Sequence, residues 1–211
     1  GSFGELEVFS FHATKIMSSA EGGVVCTNND DLAKRLRNIR SSYGAGPAVD
    51  IPLTGNGRFS EAQAAMGLLS LKAIDSVLDR GVQFRRLYAD KLGGVAGVTL
   101  VSVPSMVLNN NQYIVLEVNE DEFGLSRDEL ANVLRAENVY SRRYFRPGIH
   151  RTKYYSNLTP QFVDALPVTD LLCNRVMQLP SGQEMDEVKV EKVCDLIRFA
   201  QNHATELKGR L

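Results

Sequence analysis

The 211-residue chain carries a formal net charge of −1, with 44% hydrophobic and 23% charged residues, a globular composition that excludes extensive disorder. A charge this near neutral argues against a general polyanion binder, so nucleic acid is not an expected partner. No apolar run is long enough to span a bilayer and no basic-then-apolar leader opens the chain, so a cytoplasmic protein without a membrane partner is expected.

In chain order, Leu6 to Phe11 alternates like a strand, and Gly23 to Thr27 reads as a second, short one. Asn28, Asn29 and Asp30 offer caps for a helix with Leu32, Leu36 and Ile39 on one face. Residues 41–59, rich in Gly, Pro, Ser and Asn, read as loop. Ser60 and Gln63 fit a capping box opening a helix with the small residues Ala62, Ala64, Ala65 and Gly67, which permit close packing. A second amphipathic helix runs through Val77, Phe84, Tyr88 and Leu92 to Gly93-Gly94. Strands are predicted over 98–103 and 113–118, and a capping box at Ser126 and Glu129 opens a helix buried through Leu130, Val133 and Leu134. Val139 to Phe145 is predicted as a further strand ended by Pro147-Gly148, and the last helix runs from about Asp186 to the C-terminus. The first ~80 residues hold too few elements to close a core of their own, by the scaling of buried surface with size.

Few residues carry chemistry. Lys15 stands among Phe9, Phe11, His12, Ala13 and Ile16 with no acid before Glu21, and an amine in apolar, cationic surroundings is expected to lose its proton readily, as a Schiff-base nucleophile must. Against this, most lysines are solvated surface charges. Asn56 and Arg58 place an amide and a guanidinium just before a helix start, where phosphates bind, though Asn-Gly is also ordinary turn chemistry. Neither glycine cluster has the GxGxxG or GxxxxGK[ST] spacing, which removes dinucleotide-fold and P-loop readings. Cys26, Cys173 and Cys194 are far apart and form no CxxC pair or metal-ligand cluster with the three histidines, so neither disulfide nor metal is expected. The run Arg142 to Arg146 with Lys153-Tyr154-Tyr155 has basic and aromatic residues mixed, but reads better as a strand with a charged solvent face than as a nucleic-acid surface.

In order, Ser10-Phe11-His12-Ala13-Thr14-Lys15, Glu21-Gly22-Gly23, the stretch Asn56 to Gly67, Arg85-Arg86-Leu87-Tyr88, Arg142 to His150 and Val176 to Pro180 resemble the DegT/DnrJ/EryC1/StrS family of sugar aminotransferases. The resemblance implies an α/β fold. Residues 1–78 would be the C-terminal part of an aspartate-aminotransferase-like (fold type I) pyridoxal-phosphate domain, and 79–211 a small α+β C-terminal domain. It implies that Lys15 holds pyridoxal 5'-phosphate as a Schiff base and moves the proton between substrate carbon and cofactor. Ser10 would bind the cofactor phosphate, and Asn56 would reach it from the neighbouring subunit of a homodimer. Tyr144 and His150 would lie near the sugar nucleotide. The implied reaction is a two-stage transamination in which glutamate loads the cofactor with an amine. The amine then passes to a keto group, with a lean to C4, on a nucleotide-linked deoxysugar of the lipopolysaccharide or antibiotic type.

Similar enzymes carry a long stretch before the lysine motif, including an aspartate for the pyridinium nitrogen and a ring that stacks on the cofactor. These 211 residues do not contain it, so this chain alone is expected to be incompetent without a separate N-terminal half. The alternative reading is an inactive fragment serving as a dimerisation or partner-binding module.

Overall fold

Strands β1 (Glu7–Ser10) and β2 (Gly23–Cys26) pair antiparallel, with Ser10 opposite Gly23 at the end of the ladder. The computed structural model describes residues 3–41, 49–51, 53–104 and 107–210, so part of the loop expected over 41–59, residues 42–48 and 52, lies outside the described residues. The chain divides into two compact units, Gly1–Val77 and Leu78–Leu211, and each is described by itself.

In the first unit, α1 (Asp30–Arg40) starts at Asn29, whose Oδ1 accepts from the N–H groups of Asp31 (3.0 Å) and Leu32 (3.1 Å). Helix α2 (Glu61–Lys72) opens with the expected capping box: Ser60 Oγ accepts from Gln63 N–H at 3.2 Å and Gln63 Oε1 accepts from Ser60 N–H at 3.2 Å. The buried Gly67 faces Ser19, where an added Cβ would make an ordinary contact with Ser19 Cβ at 3.7 Å. Helix α3 (Ile74–Leu92) follows almost at once, and from Leu78 onward it belongs to the second unit.

The second unit holds a three-stranded antiparallel sheet in the order β3 (Val98–Leu100), β4 (Ile114–Val118), β5 (Val176–Leu179). Alternation puts Ile114, Leu116 and Val118 of the central strand inward, all at most 2% exposed. They pack in one core with Phe84, Tyr88 and Leu92 of α3, the stripe of α5 (Arg127–Ala136) and Val190, Val193, Ile197 and Ala200 of α8 (Glu187–Asn202). Short helices α4 (Glu120–Phe123), α6 (Lys153–Leu158), α7 (Pro167–Arg175) and α9 (Ala204–Lys208) complete the unit. No described helix is long and apolar enough to cross a membrane.

Two expectations fail here. Val139–Phe145 is no strand: only Arg142 bridges to Gln178, and Tyr140, Tyr144 and Phe145 are 68%, 43% and 63% exposed. Strand propensity reports fit to a half-buried pleat, and this segment has no such surface beneath it. The last helix breaks at His203, whose ring stacks back on Phe199 at 4.4 Å between centroids, and α9 starts anew.

Candidate active site

The first unit gathers Ser10, His12, Thr14 and Lys15 in one tight turn leaving β1. Lys15 N–H donates to the His12 carbonyl at 2.9 Å, and Ser10 Oγ accepts from His12 N–H at 3.3 Å. The His12 ring closes the turn: Nδ1 accepts from Thr14 N–H at 3.1 Å, which puts the ring proton on Nε2, facing the Glu21 carboxylate at 3.6 Å. Glu21 is itself tethered, since its carbonyl accepts from Ser19 Oγ (2.8 Å) and from Gln63 Nε2 (3.0 Å) at the start of α2. Phe11 N–H donates to the Gly22 carbonyl at 2.8 Å, so the lysine turn is fastened at both ends.

Glycine is needed at 22. Its φ of +137° lies in the region L side chains avoid, and a Cβ there would meet Phe59 Cε2 at 2.3 Å. Phe59 in turn stands 6.5 Å from the Phe11 ring.

Lys15 is exposed, and its ammonium makes no hydrogen bond or ion pair among the described residues. The apolar surround expected of it is thin here, since Phe9 is 44% exposed and Phe11 and Ile16 are half-buried. Asn56 lies on a different loop. Gly55 and Gly57 donate their N–H groups to the Ile39 and Arg40 carbonyls, both at 2.9 Å, satisfying the last turn of α1 and leaving Asn56 exposed between them. Ser10 and Lys15 are thus brought together within the turn, and Asn56 is held separately.

Tyr144 and His150 belong to the second unit, where both line a cleft of about 570 Å³ with Phe145, Tyr155, Phe162 and Cys173. His150 is 8% exposed and its Nε2 is 3.0 Å from Asp170 Oδ1 on α7. Arg151 Nε and a terminal nitrogen grip the two oxygens of that carboxylate, each at 2.6 Å. The Arg151 guanidinium first, then His150, holds the Asp170 carboxyl below its usual range. A Cβ at Gly148 would lie 2.9 Å from His150 Nδ1, so glycine lets the ring sit there.

Sequence reasoning missed Asp170, Arg151 and Phe59 as the groups that orient the site. His150 and Asp170 are twenty residues apart, and no periodicity links them. His12 and Glu21 were each read, yet not as a pair. Among the described residues no His, Cys, Asp and Glu side chains converge as a metal site.

What the turn offers chemically is a hydroxyl free to donate and a primary amine without a counter-ion among the described residues. A phosphate takes the first and an aldehyde the second, so the two residues fit those ends of pyridoxal phosphate. The model of the DegT/DnrJ/EryC1/StrS aminotransferase family matches residues 1–198. This chain belongs to that family. Its aminotransferases depend on pyridoxal 5'-phosphate. Among relatives, the chain is 33% identical to a dTDP-4-amino-4,6-dideoxy-D-glucose transaminase of Shigella dysenteriae, over 92% of this chain and 52% of that protein. It is 27% identical to a GDP-perosamine synthase of Vibrio cholerae, over 94% of this chain and 53% of the relative. The crystal structure of DesI in the presence of its TDP-sugar product superposes with a TM-score of 0.85 and 38% identity, covering all of this chain and 53% of DesI. The fold is therefore α/β, of the kind these pyridoxal-phosphate enzymes share. The chain spans about half the length of the relatives it matches.

Proposed function

We propose that this chain carries the C-terminal portion of an enzyme that transfers an amino group to a keto sugar on a nucleotide-diphosphate carrier. Carbon C4 is the proposed ring position and glutamate the proposed donor. The reading rests above all on one observation: Lys15 presents an amine with no carboxylate partner among the described residues, in the same fastened turn as the Ser10 hydroxyl. Its support outside the site is the 33% identity to a transaminase of a 4-amino sugar nucleotide. Residues 1–78 would then be the end of the cofactor-binding large domain and 79–211 the small domain.

Each residue has a stated task. Pyridoxal phosphate, when bound, supplies the electron sink that lets a C–H bond next to nitrogen ionise. Lys15 Nζ would hold the aldehyde end, and as a free amine would serve as the base that moves a proton at the reacting carbon. Ser10 Oγ–H would donate to the phosphate, while the oxygen accepts the His12 N–H, which fixes the hydroxyl. Asn56, exposed on the loop that caps α1, would donate to the phosphate of a second copy, making a homodimer the working unit. Tyr144 and His150 face the sugar nucleotide from the aromatic cleft.

The test is spectroscopic. In the full-length protein, added pyridoxal phosphate is expected to give a visible absorption band that borohydride traps on the peptide containing Lys15. Lys15→Ala should abolish both the band and the trapped peptide. A variant with the band unchanged removes Lys15 from the role.

A further inference from the structure

The cleft of the second unit has one wall that ought not to stand up. Tyr144 and Phe145, ring centroids 4.9 Å apart, project from a segment that makes a single sheet bridge at Arg142 and is otherwise exposed. Val139 packs against the core at the start of the segment, residues 142–147 are exposed, and the residues flanking the two rings are arginines.

Those arginines converge on one carboxylate. Arg143 donates to Asp128 Oδ1 at 3.1 Å, and Arg146 contacts Asp128 Oδ2 directly. A third, Arg127, is 1% exposed and donates through Nε to the same Oδ1 at 2.8 Å. Its two terminal nitrogens donate to the carbonyls of Cys173 (2.7 Å) and Val176, which themselves line the cleft. Asp128 is the second residue of α5, where the helix end favours a negative charge and where the rigid core of the unit begins. Two arginines on either side of Tyr144-Phe145 are thus pinned to a fixed point, and the third ties that point to the opposite lip.

We propose that Asp128 is a positioning residue that holds Tyr144 and Phe145 as a wall of the cleft. Its carboxylate is what keeps three guanidiniums together. Three cations on one anion leave positive charge in surplus, so the cluster is under repulsion even when complete. Burial first, and then Arg146 and Arg143, push the Arg127 pKa down to about 10. Removing the carboxylate charge leaves the guanidiniums to repel one another. Arg127 cannot leave, because it is buried and bonded to two carbonyls, so Arg143 and Arg146 must swing away and take the rings with them. The consequence for substrate rests on reading the cleft as the sugar-nucleotide side of the site.

Asp128→Asn keeps the shape and removes the charge. In the full-length protein, hydrogen exchange at residues 142–147 is expected to speed up by roughly tenfold or more, with β4 and α8 unchanged. The KM for the nucleotide sugar should rise about tenfold while kcat holds, the mark of lost binding rather than lost chemistry. Asp128→Glu should stay near the parent in both. The double variant Asp128→Asn with Arg143→Gln should recover part of the protection, because one repelling cation is gone. Unchanged exchange at 142–147, protection lost evenly through β4 and α8, or no recovery in the double variant each overturns the proposal. Altered exchange with unchanged KM overturns the part played toward substrate. The Lys15 band of the parent protein reports separately on whether the aminotransferase reading itself stands.

Discussion

At the scale of single residues, the lysine turn depends on groups that have no chemistry of their own. Gly22 is the clearest case. Its positive φ and the 2.3 Å approach an added Cβ would make to Phe59 act together, and relief of the second by moving the ring would disturb its contact with Phe11. Gly22→Ala is therefore expected to destabilise the first unit by about 1–3 kcal/mol, the range for overpacking with a backbone penalty added. Borohydride trapping at Lys15 should weaken with it, because Phe11 N–H and the Gly22 carbonyl fasten the end of the turn. Parent-like stability measured by urea denaturation would show that Phe59 yields freely and that the turn does not depend on it. His12 works in the same indirect way. Its two ring nitrogens are engaged by Thr14 and Glu21, so it shapes the turn that carries Lys15.

The elements show how local rules set the frame around these residues. In α5 the capping box is complete: Glu129 Oε2 accepts from Ser126 N–H at 2.7 Å and Ser126 Oγ accepts from Glu129 N–H at 3.2 Å. The Ser126 backbone bond holds the Glu129 carboxyl below its ordinary 4.5. A carboxyl whose folded pKa is depressed stabilises the fold fully above its ordinary value, and that contribution fades as the pH falls through the folded value. Ser126→Ala is thus expected to cost about 1 kcal/mol at pH 7. Alanine keeps the N–H that chiefly anchors Glu129 and loses only the hydroxyl's smaller hold on the carboxylate, so the gap between parent and variant should narrow only slightly near pH 3. A gap that closes at pH 3, measured by urea titration at both values, would show instead that the hydroxyl carries most of the anchoring of the Glu129 charge. Both boxes were legible in the sequence, as were the starts of α1 and α5 and the existence of β4 and α8, because caps and periodicity are short-range signals. The segment 139–145 misled for the opposite reason. Its aromatic and branched residues favour a strand, yet its conformation answers to Asp128, eleven or more residues away in sequence, and no local rule carries that. That Ser10 and Lys15 fall in one turn was legible, since they stand five positions apart. The His150–Asp170 contact was not, being made only when α7 folds back on the short helical turn Ile149–Arg151.

At the scale of the molecule, the two units differ in how they are held. Every buried hydrophobic residue among those described comes from Phe84 onward, so the core belongs to Leu78–Leu211. In Gly1–Val77 the strand residues Val8, Val24 and Val25 and the α2 residues Met66, Leu68, Leu69 and Leu71 are exposed. The cysteines report on this division without any added probe. Cys26 lies exposed on β2, whereas Cys194 is fully buried on α8 and burial pushes its thiol up to about 11. The thiolate is the reactive species, so Cys194 is disfavoured both by access and by charge state. For this 211-residue chain at pH 8, iodoacetamide is expected to label Cys26 at close to the rate of a free thiol. Cys194 should react at least 100-fold more slowly, until urea unfolds the second unit. Mass spectrometry of the labelled peptides gives both rates from one sample. Comparable rates would mean that the sheet and α8 open together with the first unit, and the core would then not be the independent body its packing describes. Slow labelling of Cys194 with fast labelling of Cys26 would show the reverse: the second unit stands by itself, and the lysine turn follows a strand pair whose apolar side chains lie open.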